Sequence, residues 1–179
     1  DSGKESKLDP GERVILFTDL VGSTEMTHRL GDKDAMVLLR KHNSIIRNGL
    51  KVNEGREIKH TGDGIMASFL DADKALDFSN RIKEDFSDLN KKNEFGEDLK
   101  IKVGLHSGFP VEENNDLFGT SVQVAARVCD HASANETLLT STAKEKCKNK
   151  NHNIQRSQNA NFKGVSEEIS IFHYIGSKI

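Results

Sequence analysis

A chain of 179 residues with 35% hydrophobic content has room for one domain with a substantial core, and a formal net charge of −2 with 30% charged residues argues against a basic nucleic-acid-binding surface. No apolar run approaches membrane-spanning length and no signal peptide is visible. The two cysteines, Cys129 and Cys147, lack both metal-ligand spacing and the density of a disulfide scaffold. These features predict a reducing, cytoplasmic setting and no nucleic-acid partner.

Asp1 to Gly11 is polar and turn-rich and the chain opens without Met, so 1–11 is expected to be a linker remnant ahead of one domain over 12–179, with a sensor or membrane region upstream. The run Val14-Ile-Leu-Phe-Thr-Asp19 predicts a buried strand over about 12–19, with Asp19 where it stops. Ligand sites in open α/β sheets gather at such strand ends. Gly22-Ser-Thr-Glu25 then carries hydroxyls suited to capping a helix, whose free N–H groups can bind phosphate oxygens. Helical spacing continues over about 23–53, broken near Gly31-Asp32, with Met36, Leu39, Ile46 and Leu50 as its core stripe. Residues 55–69 read as a hairpin, in which Ile58 and Ile65 flank the tight turn Thr61-Gly-Asp63-Gly64.

A second long helix is expected over about 71–92, opened by Asp71, closed by Asn93 to Gly96, and striped by Ala75, Phe78, Ile82 and Leu89. After it come a strand (about 100–106), a strand-to-loop segment (Val111 to Phe118), a helix (about 120–132), a strand (about 137–140), a short helix, and two strands near 153–158 and 169–175. The order βαββαβ predicts an α+β fold with a ferredoxin-like core, helices on one face of an antiparallel sheet, and C-terminal additions.

If the first strand and the hairpin are neighbours, Asp19 and Asp63 sit side by side. Hard cations such as Mg²⁺ take oxygen ligands, often one or two carboxylates plus substrate phosphates, so the pair is chemically sufficient for a metal. A lone strand-end Asp is usually a turn former or helix cap, and a lone Thr-Gly-Asp-Gly is usually only a hairpin; the combination is what carries weight. The seven His residues show no metal-ligand spacing. His106 has no readable acid partner, which favours strand-end packing or a hydrogen bond, and Cys129 is expected to be buried rather than nucleophilic.

These segments resemble the class III nucleotidyl cyclase catalytic domain, over nearly everything from Arg13 to Tyr174. The resemblance rests on Phe17-Thr-Asp19-Leu-Val-Gly22-Ser-Thr24, on the Gly62-Asp63 turn, on Val103-Gly-Leu-His-Ser-Gly108, and on Asp116-Leu-Phe-Gly-Thr-Ser-Val-Gln-Val-Ala-Ala-Arg127. It implies that Asp19, Asp63 and the Leu20 carbonyl hold two divalent metals, Mg²⁺ or Mn²⁺, and that Gly22, Ser23 and Thr24 meet phosphate. By the same resemblance Lys59 and Asp116 read the base, matching the adenine pair of the family, and Arg127 is the transition-state arginine. Lys163, in Phe162-Lys-Gly164, matches the lysine that holds terminal phosphates.

Two departures stand out. Gln123 occupies the position of the usual Asn, keeping the amide but adding a methylene, and a misplacement of about an ångström costs up to roughly a hundredfold in rate. The Phe109-to-Asn115 connection is shorter than the dimerisation arm of many relatives. The resemblance implies an adenylate cyclase acting as a homodimer, with Asp19 and Asp63 of one copy facing Lys59, Asp116, Gln123, Arg127 and Lys163 of the other. The alternatives are a guanylyl or pyrimidine nucleotide cyclase and a low-activity or non-catalytic cyclase-homology module. A diguanylate-cyclase-like enzyme is disfavoured because its Gly-Gly-[Asp/Glu]-Glu-Phe turn is absent.

Overall fold

Strand β1 (Arg13–Leu20) runs through the middle of a seven-stranded sheet ordered β2-β3-β1-β4-β7-β9-β8, in a computed structural model that describes residues 8–178. Both faces of β1 are covered, which is why it reads as a continuous apolar run. Val14, Leu16 and Leu20 join the large core beneath helices α1 (Ser23–Leu30), α2 (Asp32–Val52) and α3 (Ala72–Lys92). Ile15 and Phe17 join a smaller cluster with Ala125 of helix α4 (Thr120–His131) on the opposite face. By strand alternation Asp19 falls on the α4 side.

The ferredoxin-like order is present as expected. Strands β2 (Arg56–His60), β3 (Gly64–Phe69), β1 and β4 (Ile101–Gly108) are mutually antiparallel neighbours, with α1 to α3 on one face. The C-terminal additions are strands β7 (Thr137–Thr140), β8 (His152–Asn161) and β9 (Glu168–Ser177), the short helix α5 (Ser141–Glu145), and α4, which covers the second face. Strand β7 pairs with β4 in parallel and extends the sheet. The segment Val111 to Phe118 is more regular than a strand running into a loop. It is a two-stranded hairpin of β5 (Val111–Glu113) and β6 (Asp116–Phe118), turned by Asn114 and Asn115, both at positive φ as a tight hairpin turn requires.

Within the helices, Asp71 caps α3 as expected, its side chain accepting from the Asp73 and Lys74 amides. The stripe of α2 is rotated from expectation: Met36 is 47% exposed, and the inward face is Ala35, Leu38, His42, Ile46, Gly49 and Leu50. His42 belongs to that stripe because its ring stacks on Phe86, which lets an imidazole pack as an aromatic. His106 makes the strand-end hydrogen bond expected of it, Nδ1 lying 2.8 Å from Thr140 Oγ1, and burial pushes its pKa down to about 4.

Of the expected linker, residues 1–7 lie outside the described residues. Leu8 packs against the core, and the Glu12 amide closes a turn onto the Asp9 carbonyl (2.9 Å). Among the described residues no helix is long and apolar enough to cross a membrane.

Helix α4 is seated directly on β4. A Cβ on Gly104 would lie 2.2 Å from the Cys129 amide nitrogen and 2.5 Å from its Cα. Gly104→Ala is therefore expected to force α4 outward and destabilise the fold by about 1–3 kcal/mol. Urea denaturation checks this: the midpoint should fall with an unchanged slope, and an unmoved midpoint would show that the helix is not held by this contact.

Candidate active site

Asp19 and Asp63 do come together. Asp19 pairs with Gly64 in the β1–β3 register, and the Leu20 amide donates to the Asp63 carbonyl (3.2 Å). The approach needs a glycine at 64, since a Cβ there would lie 1.7 Å from the Thr18 carbonyl oxygen. Asp63 is exposed at the turn and Asp19 is half-buried. Ser23 differs from the capping role expected of it. The N-cap of α1 is Gly22, in a left-handed conformation (φ 69, ψ 30) with no side-chain cap, and the buried Ser23 hydroxyl donates instead to Asp63 Oδ2 at 2.5 Å. The helix thus begins beside the two carboxylates with its first-turn N–H groups open to a ligand, and Thr24 is exposed there.

Burial raises the pKa of Asp19, with Asp63 and Asp130 adding negative charge nearby; Lys102 works in the other direction. Lys102 lies opposite Asp19 in the β1–β4 register and donates to the Asp130 carbonyl (3.2 Å). A groove of about 210 Å³ lies here between the end of β1 and α4, lined by Phe17, Thr18, Asp19, Thr61, Ala126, Cys129 and Asp130. Sequence reading missed Lys102 and Asp130. Only the strand register reveals the first; the second sits three residues past Arg127 on the same helix. Cys129 is buried and its thiol is pushed up to about 12, mainly by burial, so it is inert as a nucleophile.

Lys59 and Asp116 also meet, Nζ donating to Oδ2 at 2.9 Å. The β5–β6 hairpin carries Asp116 to β2, and a second ion pair, Arg56 to Glu112 at 2.5 Å, fastens the same two elements. Asp116 Oδ1 accepts the Leu117 amide (2.7 Å), and the Phe118 ring centroid lies 5.9 Å from the Lys59 ammonium. The hydrogen bond from Lys59 holds the Asp116 carboxyl below the usual carboxylate range. Exposed ion pairs contribute little to stability, so both groups are accessible to a ligand.

Gln123 and Arg127 stand one turn apart on α4, both exposed. Gln123 Oε1 reaches the turn between β8 and β9, within 4.0 Å of where a Cβ on Gly164 would sit, and so beside the exposed Lys163. The only ion contact of Arg127 among the described residues is a 4.0 Å approach to Asp130, too long and exposed to matter structurally. No hydrogen bond or ion pair among the described residues links Lys59, Asp116, Gln123, Arg127 or Lys163 to Asp19 or Asp63. Within one chain the candidate residues therefore form separate clusters: Asp19 with Asp63 and Ser23, Lys59 with Asp116, and Gln123 and Arg127 on α4 with Lys163 nearby.

Comparison with known proteins accounts for this architecture. An adenylate cyclase of Mycosarcoma maydis is 27% identical over 151 residues, covering 72% of this chain and 6% of that protein. The chain spans between 6% and 35% of the length of the curated relatives it matches. Among solved structures, the adenylyl cyclase CyaB from P. aeruginosa superposes with a TM-score of 0.84 at 19% identity, over 93% of this chain and 94% of that one. The guanylate cyclase domain of RhGC from Catenaria anguillulae, in complex with GTP, gives 0.79 at 20% identity, over 94% and 98%. The family model of the adenylate and guanylate cyclase catalytic domain matches residues 9–176, and the chain belongs to that family.

Proposed function

We propose that this domain is an adenylate cyclase that converts ATP to 3′,5′-cyclic AMP and pyrophosphate at sites shared across a homodimer. The observation that carries the choice of ATP is the Lys59–Asp116 pair. Lysine only donates and an ionised aspartate only accepts, matching the N1 acceptor and the amino donor of adenine, whereas guanine presents the reverse at both atoms.

Asp19, Asp63 and the Leu20 carbonyl are the groups that would hold two divalent cations, Mg²⁺ or Mn²⁺. The fit rests on donor chemistry: two neighbouring carboxylates with hard oxygen donors, one of them with its pKa raised by burial and by surrounding negative charge. Cations held by these groups would lower the pKa of the ribose 3′ hydroxyl and neutralise phosphate charge. Ser23 fixes the orientation of the Asp63 carboxylate. Gly22, Ser23 and Thr24 offer amides to phosphate oxygens at the start of α1, and Lys163 takes the terminal phosphates. Arg127, always cationic, takes the charge that builds on the α-phosphate as the 3′ oxygen attacks, and Gln123 orients the ribose.

Two observations support the dimer. No hydrogen bond or ion pair among the described residues joins the carboxylates proposed to hold metal to Lys59, Asp116, Gln123, Arg127 or Lys163. Phe109, Val111 and Phe118, 60%, 60% and 48% exposed, form an apolar surface around the hairpin that bears Asp116. The greater length of the relatives supports a catalytic domain joined to further segments, and we infer that these include a sensor or membrane region with the catalytic domain on the cytoplasmic side.

Purified protein offered the four ribonucleoside triphosphates with Mg²⁺ or Mn²⁺ should cyclise ATP, with a preference over GTP of roughly ten- to a hundredfold. Equal turnover of GTP would sink the base assignment. Asp19→Ala and Arg127→Ala are each expected to be inactive alone, yet mixing them should restore activity in the heterodimers, which retain one intact shared site. Continued inactivity of a mixture in which both chains dimerise would count against shared sites. Ser23→Ala frees the Asp63 carboxylate, and Mn²⁺ affinity measured without nucleotide should fall roughly tenfold, as loss of a ligand's orienting partner commonly does.

A further inference from the structure

Glu12 is the sole buried carboxylate among the described residues, at 4% exposure, and the proposed chemistry makes no use of it. A charge is buried at a cost unless it is paired and hydrogen-bonded, and here it is both. Oε1 accepts from the Asp9 amide (2.9 Å) and meets the Lys146 ammonium at 3.2 Å, while Oε2 accepts from the Ser107 hydroxyl (2.9 Å). Burial alone would raise its pKa, but these bonds outweigh burial and the carboxyl lies below its usual range, so it stays ionised. Its partners come from three places: the turn ahead of β1, the residue that ends α5, and the end of β4.

The β4 end has the functional consequence. Ser107 is followed by Gly108, where a Cβ would lie 2.1 Å from Ser121 Oγ, and the Phe109 amide donates to that same hydroxyl (3.2 Å). Ser121 sits in the first turn of α4, the helix of Gln123 and Arg127. From Phe109 the chain passes into the β5–β6 hairpin that presents Asp116. Asp19 and Asp63, by contrast, lie at the opposite end of β1 from Glu12 and are held by the β1–β3 pairing.

We propose that Glu12 is a positioning residue: its carboxylate pins the turn ahead of β1 to the end of β4, and through Ser107, Gly108 and Ser121 sets the placement of Asp116, Gln123 and Arg127 relative to the metal-holding carboxylates. The inference deepens the cyclase reading and rests on it. Glu12→Gln preserves shape and removes the charge that meets Lys146; Ser107→Ala removes the link to β4 and is the milder change for folding.

Steady-state kinetics on the intact chain test this, with Mn²⁺ binding in the absence of nucleotide as the second readout. Both variants should raise KM for ATP about tenfold and lower the ATP-to-GTP ratio of kcat/KM, since small displacements of recognition groups have effects of that size. Mn²⁺ affinity should stay unchanged. Ile46→Val, on the buried face of α2, serves as a stability control: it should lower the thermal midpoint and leave the ratio where it was. Glu12 and Ser107 variants that lose activity only in step with their midpoints, with the ratio unmoved, would overturn the role, as would a loss of Mn²⁺ affinity. A wild-type preference for GTP would sink the ATP reading alone, because a ratio shifted by Glu12→Gln would still report the coupling. In protein without turnover, calorimetric affinities for ATP and GTP supply the ratio instead, and a ratio unmoved by both variants would overturn the role in the same way.

Discussion

The register in which β1 meets β3 sets Asp19 opposite Gly64, and it forms because residue 64 has no side chain to strike the Thr18 carbonyl. Much of the candidate site depends on that contact. It brings the tip of the β2–β3 hairpin level with the end of β1, so two carboxylates far apart in sequence share one end of the sheet. It also places Asp63 within reach of Ser23, so that the helix following β1 begins beside both acids. A slip of one residue would turn Asp19 to the other face, beneath α2 and α3, where Leu20 now packs. The strength of the register comes from burial on both faces of β1, since every slipped pairing exchanges the contents of two different cores.

The same double burial explains why so much was legible in the order of residues alone. A continuous apolar run ending in Asp, and a glycine-bounded acidic turn, are local patterns, and both appear where expected. The βαββαβ order was equally legible because α2 and α3 each keep an apolar stripe at helical spacing. What stayed hidden depends on non-local geometry. Met36 is as apolar as its neighbours and yet faces outward, whereas His42 packs inward by stacking on Phe86, so the orientation of α2 could not be decided on hydrophobicity alone. Ser23 looks like a helix cap until Asp63, forty residues later, is brought to its hydroxyl. Lys102 is placed beside Asp19 only by the β1–β4 pairing. The β5–β6 hairpin was missed because its strands are three residues each, although the Asn114-Asn115 pair was a readable turn signal.

The candidate residues also divide into two groups by charge. One group is acidic and holds its carboxylates close enough that the charge of Asp63 adds to burial in disfavouring ionisation of Asp19; the other presents Lys163 and Arg127, both exposed, with the Lys59–Asp116 pair. Had the fold packed these groups together within one chain, arginine and lysine would have neutralised the aspartates, leaving little field for metal or phosphate. On the proposed reading, a second copy and a triphosphate are what bring the two potentials together. Gly104 and Gly108 let α4 lie directly on β4 and so fix where Gln123 and Arg127 are presented.

Solved adenylyl and guanylyl cyclases share this fold at similar TM-scores, so the fold by itself does not decide between bases. In the pair proposed to read the base, Lys59 and Asp116 already satisfy each other before any nucleotide arrives. An entering base competes with that ion pair, and only a base offering an acceptor to the ammonium and a donor to the carboxylate leaves both groups satisfied. Adenine does. Guanine meets each group with its like and loses to the re-formed ion pair. Because the pair is exposed, opening it costs little, so adenine is not hindered; because it can always re-form, a mismatched base gains nothing by displacing it. On the proposed reading, selectivity is then the margin by which the contacts with adenine exceed the ion pair they replace, because a mismatched base leaves that pair closed.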